Sequence, residues 1–118
     1  AEMRGEYFSW LSHDDRYLPQ KLERQVAYLR EHPQTEVLGA GLEVIDAAGN
    51  AKPGYSSGDV IELRTGREVM DHWVYGCALL IRKSVFDRLG GFNESNRTVQ
   101  DLEMWLAIVH AGIPIVML

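Results

Sequence analysis

The sequence predicts an α/β fold, and three observations carry that reading. Strand-like and helix-like segments alternate along the 118 residues. The helix-like segments place apolar residues three and four apart, most clearly at Leu102, Trp105, Leu106 and Val109. The strand-like runs are short, apolar or aromatic, and bounded by Gly, Pro, Asn or Asp.

Taken in order, "YFSWL" (7–11) is the first strand, rich in β-favouring aromatics, and "SHDDRY" is a loop. Pro19 suits the first turn of a helix, where its missing N–H costs nothing. Leu22, Val26 and Leu29 follow at helical spacing with Tyr28 alongside. Lys21, Glu23, Arg24 and Arg30 take the solvated side, and His32-Pro33 ends the pattern. "EVLGAGLEVI" (36–45) reads as a strand, "DAAGN" as a turn, and "AKPGYSSGD" (51–59) as a loop. Residues 59–71 read as helix, and "YGCALLIRK" (75–83) as a buried strand. Ser84 is expected to cap a short helix, "VFDRL", with Asp87 at the box position and Gly90-Gly91 as the stop with positive φ. A polar loop, "NESNRT" (93–98), leads into the helix "VQDLEMWLAIVHAG" (99–112), and Pro114 opens a last strand, "IVML".

The length allows one small domain with one core. With 46% hydrophobic and 25% charged residues, the composition is that of an ordinary globular chain. A net charge of −5 argues against nucleic acid as a partner. The single cysteine, Cys77, permits no internal disulfide and favours a reducing compartment. No apolar run approaches the ~20 residues of a membrane span. Both ends are abrupt, so a piece of something longer is expected.

Two constellations carry chemistry. Asp14 and Asp15 sit side by side at the end of the first strand, where like charges repel unless something compensates. Ligands of open α/β sheets bind at such strand ends. Paired carboxylates there suit Mg2+ or Mn2+ completed by substrate phosphates; a solvated surface turn is the plain alternative. Asp101 and Glu103 lie in the first turn of the clearest helix. The helix dipole accounts for acids there, but a carboxylate on a rigid helix also suits a general base. His13, His32, His72 and His110 show no metal-ligand spacing. Cys77 reads as core, and so do Trp10, Trp73 and Trp105, with Trp73 also suited to a sugar platform.

Four stretches together resemble the second half of a family 2 glycosyltransferase with the GT-A fold. They are "GEYFSWLSHDDRYLPQKLERQVAYL", "GLEVIDAAGN", "GCALLIRKSVFDRLGGFNES" and "QDLEMWLAIVHAG". The resemblance covers nearly the whole chain. It implies a partial GT-A (nucleotide-diphospho-sugar transferase) fold: a mixed sheet flanked by helices, without the N-terminal nucleotide-binding βαβ units. Residues 1–118 would then form one partial domain. It further implies an inverting transfer from a nucleotide-sugar, a UDP-sugar first, to a glycan or other hydroxyl acceptor. Asp14 and Asp15 would hold the metal against the diphosphate, with Asp15 as the preferred ligand, and Asp101 would be the base.

Three positions depart from the family pattern: Ser12 where another aspartate is common, Gln100 before the base, and Ala107 after the tryptophan. They favour a second reading, a non-catalytic binding or assembly module on the same fold. A metal-dependent phosphohydrolase lacks an accompanying nucleophile or phosphate loop. A GT-A domain is about twice this length, so the isolated chain is expected to be inactive or very weak. Exposed sheet edges predict a homo-oligomer. The expected location is cytoplasmic, with the inner face of the membrane open to the parent protein.

Overall fold

The computed structural model describes residues 3–52 and 59–118. The strands are β1 (Tyr7–Ser9), β2 (Val37–Gly39), β3 (Ile61–Leu63), β4 (Leu80–Arg82) and β5 (Ile115–Met117). The helices are α1 (Lys21–Glu31), α2 (Gly66–Asp71), α3 (Lys83–Leu89) and α4 (Gln100–His110), and a 3-10 turn spans Gly76–Ala78. The strands form one mixed sheet in the order β1-β4-β2-β5-β3. Only the β2–β5 pair is parallel.

Strand alternation sends successive side chains to opposite faces. Val37, Ile81 and Ile115 point into the larger core, with Val69 of α2, Val85 of α3, and Met104, Trp105, Ile108 and Val109 of α4. Leu38, Leu80 and Val116 point the other way and meet Leu29 of α1. The sheet is thus covered on both faces, by α1 on one side and by α2, α3 and α4 on the other. This is the expected α/β architecture, a mixed sheet flanked by helices.

Several local expectations are corrected. Residues 59–71 are not one helix: β3 ends at Leu63, and α2 starts after Thr65. Thr65 forms a reciprocal capping box with Glu68, whose backbone N–H donates to Thr65 Oγ1 at 3.3 Å while the Thr65 N–H donates to Glu68 Oε2 at 2.8 Å. The run 36–45 keeps only Val37–Gly39 as a strand, and Ile45 bridges Ala51 across the following turn. The run 75–83 splits into the 3-10 turn and β4. Ser84 does not cap α3, which already begins at Lys83; its hydroxyl donates instead to Glu36 at 3.3 Å. Gly90 alone of its pair takes positive φ, at 80°. On α4 the fully buried stripe is Met104, Trp105, Ile108 and Val109, with Leu102 and Leu106 at its margin. Leu22 is exposed, whereas Gln25 of α1 is buried and donates from Nε2 to the carbonyls of Leu38 (3.2 Å) and Ala78 (2.9 Å). The loop expected over 51–59 falls largely on 53–58, outside the described residues.

The registers define two rims. Ser9 pairs with Leu80, Leu38 with Leu80 and Val116, and Ile61 with Met117. One rim therefore carries the ends of β1, β2 and β5 and the starts of β3 and β4. Only residues 111–114 join α4 to β5, so α4 runs back along the sheet and its first turn rises at that same rim.

Thr65→Ala removes one half of the capping box. We expect a loss of about 1 kcal/mol, read as a lower urea midpoint with an unchanged slope.

Candidate active site

The chain leaves β1 at this rim and turns at once, with the Asp15 N–H donating to the Ser12 carbonyl at 3.2 Å. Asp14 is exposed and Asp15 half-buried. The Asp15 carboxylate lies beside Cys77, in the 3-10 turn. Burial, and after it this carboxylate, pushes the Cys77 thiol above its ordinary range. On the other side of the same turn, Gly76 faces both the Trp105 and the Trp10 indoles. Asp101 lies one helical turn before Trp105, on the same face of α4. The acidic loop and the Trp105 ring of α4 therefore meet at Gly76–Ala78.

An aromatic cluster sets this arrangement. Phe92, from the stretch after α3, stands 5.8 Å from Phe8, 5.8 Å from Trp10, 6.0 Å from Phe86 and 6.0 Å from Trp105 between ring centroids. Such spacings suit edge-to-face and tilted contacts. They tie β1, α3 and α4 together beneath the rim.

The two acids of α4 have different fates. Glu103 accepts from Asn93 Nδ2 at 3.0 Å and from Asn96 Nδ2 at 2.8 Å. These bonds, that of Asn93 first, hold its carboxyl below the usual range. Glu103 thus fastens the polar loop 93–98. Asp101 accepts from the adjacent Leu102 N–H at 2.8 Å, and among the described residues it forms no ion pair.

Sequence reasoning missed the other half of this corner. Lys21, expected on the solvated side of α1, is half-buried against β1. Its ammonium donates to Ser9 Oγ at 3.3 Å and sits 4.1 Å above the Tyr17 ring. Tyr17 OH donates to the Trp10 carbonyl at 2.5 Å, so its only proton is used. The 2.8 Å contact between Ser9 Oγ and Tyr17 OH is then donated by serine. The result is a directed chain, Lys21 to Ser9 to Tyr17 to the Trp10 backbone, that pins the acidic loop to both β1 and α1. The one available signal was alternation along β1, which sends Ser9 to the face opposite Phe8.

A second loop joins the rim. Asp46 accepts from the backbone of Ala48 and Asn50, each at 2.9 Å, and closes the turn 46–50. Hydrogen bonds from Asn50, backbone first, hold the Asp46 carboxyl below its ordinary range. Gly49 is required there, because its φ is 86° and a Cβ would collide with the Arg16 guanidinium packed against it.

The remaining candidates lie apart. His13, His72 and His110 are exposed, and His32 stacks on Tyr28 at 4.1 Å. Trp105 is core, whereas Trp73 is 75% exposed with φ of 48°. Among the described residues no group of three or more His, Cys, Asp or Glu side chains forms a metal cluster. Among the described residues the acidic loop therefore offers a cation at most two of these side chains. A groove of about 630 Å³ opens between the start of α2 and the last turns of α4. It lies at the opposite rim and contains none of Asp14, Asp15 and Asp101. No helix among the described residues is long and apolar enough to cross a membrane.

The fold and this rim define an α/β protein with a carboxylate-lined corner, and known proteins resemble it along nearly the whole chain. A Rickettsia felis protein named "uncharacterized glycosyltransferase" is 36% identical over 115 residues, covering 93% of this chain and 19% of that protein. A Rickettsia typhi protein also named an uncharacterized glycosyltransferase is 34% identical over 123 residues, covering 93% and 36%. The amylovoran biosynthesis glycosyltransferase AmsE of Erwinia amylovora is 24% identical over 106 residues, covering 86% and 38%. This chain is thus a homologue of proteins named glycosyltransferase, and it spans well under half the length of the curated relatives it matches. No protein-family model matches the chain, and no solved structure does.

Burial of Lys21 lowers its pKa from 10.5 to about 8. The unfolded chain then holds this proton more tightly than the folded one. Stability should rise as the pH climbs from about 8 to 10.5, and the burial cost is carried in full below about 8. In paired urea titrations across that window, we expect Lys21→Met to lack this rise relative to the unsubstituted chain.

Proposed function

We propose that the parent protein is an inverting family 2 glycosyltransferase of the GT-A fold, and that this chain is the second half of its catalytic domain. The donor is a nucleotide-sugar, with a UDP-sugar as the first candidate, and the acceptor is a glycan or other hydroxyl compound. The homologues support sugar transfer as the general activity. The observation that supports the site is the convergence of Asp15 and of Trp105, one helical turn after Asp101 on α4, on the turn Gly76–Ala78.

In this reading Asp101 takes the proton from the acceptor hydroxyl. The acceptor oxygen bonds to the anomeric carbon as the bond from that carbon to the donor phosphate breaks. The nucleoside diphosphate leaves with the electron pair. Asp101 suits the role because it stands on a rigid helix and no other side chain engages it in an ion pair among the described residues. Asp14 and Asp15 would hold Mn2+ or Mg2+, with donor phosphates completing the shell. When bound, that ion offsets the charge on the departing diphosphate. Ser12, Gln100 and Ala107 support the second reading, a binding or assembly module that has kept the fold without the chemistry.

Two measurements decide between these. With Mn2+ present, the full-length parent protein should bind UDP, read by calorimetry, and Asp15→Ala should abolish that binding. In the full-length parent protein, Asp101→Asn should lower kcat at least 100-fold with a small change in KM. UDP binding without turnover in the full-length protein selects the second reading.

The outer strands β1 and β3 leave backbone edges open in the isolated chain. We expect self-association, read as a dimer mass in size-exclusion chromatography with light scattering. A monomer at high concentration overturns this.

A further inference from the structure

We propose that Lys21 is the protein's cationic contact for a phosphate group of the ligand bound at the acidic loop. This rests on the donor being a nucleoside diphosphate derivative, as above, and assigns it a contact on the α1 side of β1.

Charge and reach support this contact. Lys21 is a half-buried ammonium at the ligand-facing rim. Its neighbours there, the Ser9 hydroxyl and the Tyr17 ring face, are neutral. Among the described residues no carboxylate lies within ion-pair distance of it. Burial of an uncompensated charge is costly, and here it lowers the pKa, yet the side chain still carries its charge at neutral pH. A buried lysine serving packing alone would be better replaced by a neutral side chain of similar length. Ser9, Tyr17 and the Trp10 carbonyl instead hold the ammonium in one place.

Its place is beside the acids. Cys77 lies within electrostatic reach of both the Lys21 ammonium and the Asp15 carboxylate. The cation and the anion thus flank one thiol without touching. A divalent ion on Asp14 and Asp15 would cancel those two charges and leave the two negative charges of a sugar diphosphate uncompensated. Lys21 offsets one of them. Arg16, the other cation of the loop, lies against the turn at Gly49. With Ser12 in place of a third acid, the corner has fewer ligands for a metal, and a fixed ammonium adds a phosphate contact of its own.

Calorimetric titration of the full-length parent protein with UDP, in the presence of Mn2+, tests this, with uridine as the phosphate-free control. Lys21→Gln should weaken UDP at least tenfold, Lys21→Arg should retain most of the affinity, and uridine should not distinguish the three proteins. The wild-type affinity should also fall with added salt. Urea unfolding of each variant confirms that it is folded, and Mn2+ binding alone, read by electron paramagnetic resonance, should be unchanged in Lys21→Gln. Equal UDP affinity in Lys21→Gln and wild type overturns the inference. If Asp15→Ala nevertheless abolishes binding, the metal-dependent reading of the site stands without it. If Lys21→Gln loses UDP and Asp15→Ala keeps it, the lysine contact stands and the metal assignment falls. No UDP binding by the full-length wild-type protein overturns both.

Discussion

Phe92 is the contact on which the geometry of this molecule turns. It touches β1 through Phe8, the residue just after β1 through Trp10, α3 through Phe86, and α4 through Trp105. Three-residue strands make few ladder hydrogen bonds, so this sheet is held chiefly by what covers it. On the larger face the cover is one apolar cluster with the Phe92 ring at its rim end. Because β1 delivers the acidic loop and α4 delivers Asp101, the packing of one aromatic side chain sets how those carboxylates stand relative to each other.

The second face is held in a different way. α1 contributes one fully buried apolar residue, Leu29, beside the buried Gln25. Gln25 compensates in part by donating from Nε2 to the carbonyls of β2 and of the 3-10 turn, while its buried Oε1 has no partner among the described residues. Arg82 extends the same strategy, donating to the carbonyls of Leu29 at 2.7 Å and Thr35 at 3.0 Å. Polar cross-links thus dock α1, and they place Lys21 against Ser9. The side of the rim that carries the cation is built from hydrogen bonds, and the side that carries Asp101 from aromatic packing.

The two kinds of packing meet at Gly76–Ala78. The turn receives the Trp105 and Trp10 rings at Gly76, the Asp15 and Lys21 side chains around Cys77, and the Gln25 amide at Ala78. By composition these three residues are the start of a buried strand, because "GCALLI" is apolar throughout. Strand pairing begins at Leu80, where β1 and β2 lie alongside, and before it the Ala40 N–H donates to the Ala78 carbonyl at 3.2 Å. The preceding residues turn because their carbonyls and N–H groups close on each other instead.

Much of the fold was legible in the residues alone. The alternation of short apolar runs with helical stripes dictates an α/β sandwich, since each pattern buries only one arrangement of faces. The positions of Asp14, Asp15 and Asp101 at element ends were legible for the same reason. Local pattern could not reveal which strands would be neighbours, that 59–71 would divide at Thr65, or that the buried face of α4 would rotate towards Met104 and Ile108. Those depend on the sheet order, which brings residues far apart in the chain into one layer. Lys21 shows the difference most sharply. By composition it is a solvated lysine in the first turn of a helix. Only the docking of α1 on β1, fixed by partners 12 and more residues away, withdraws it from water and sets it beside the acids.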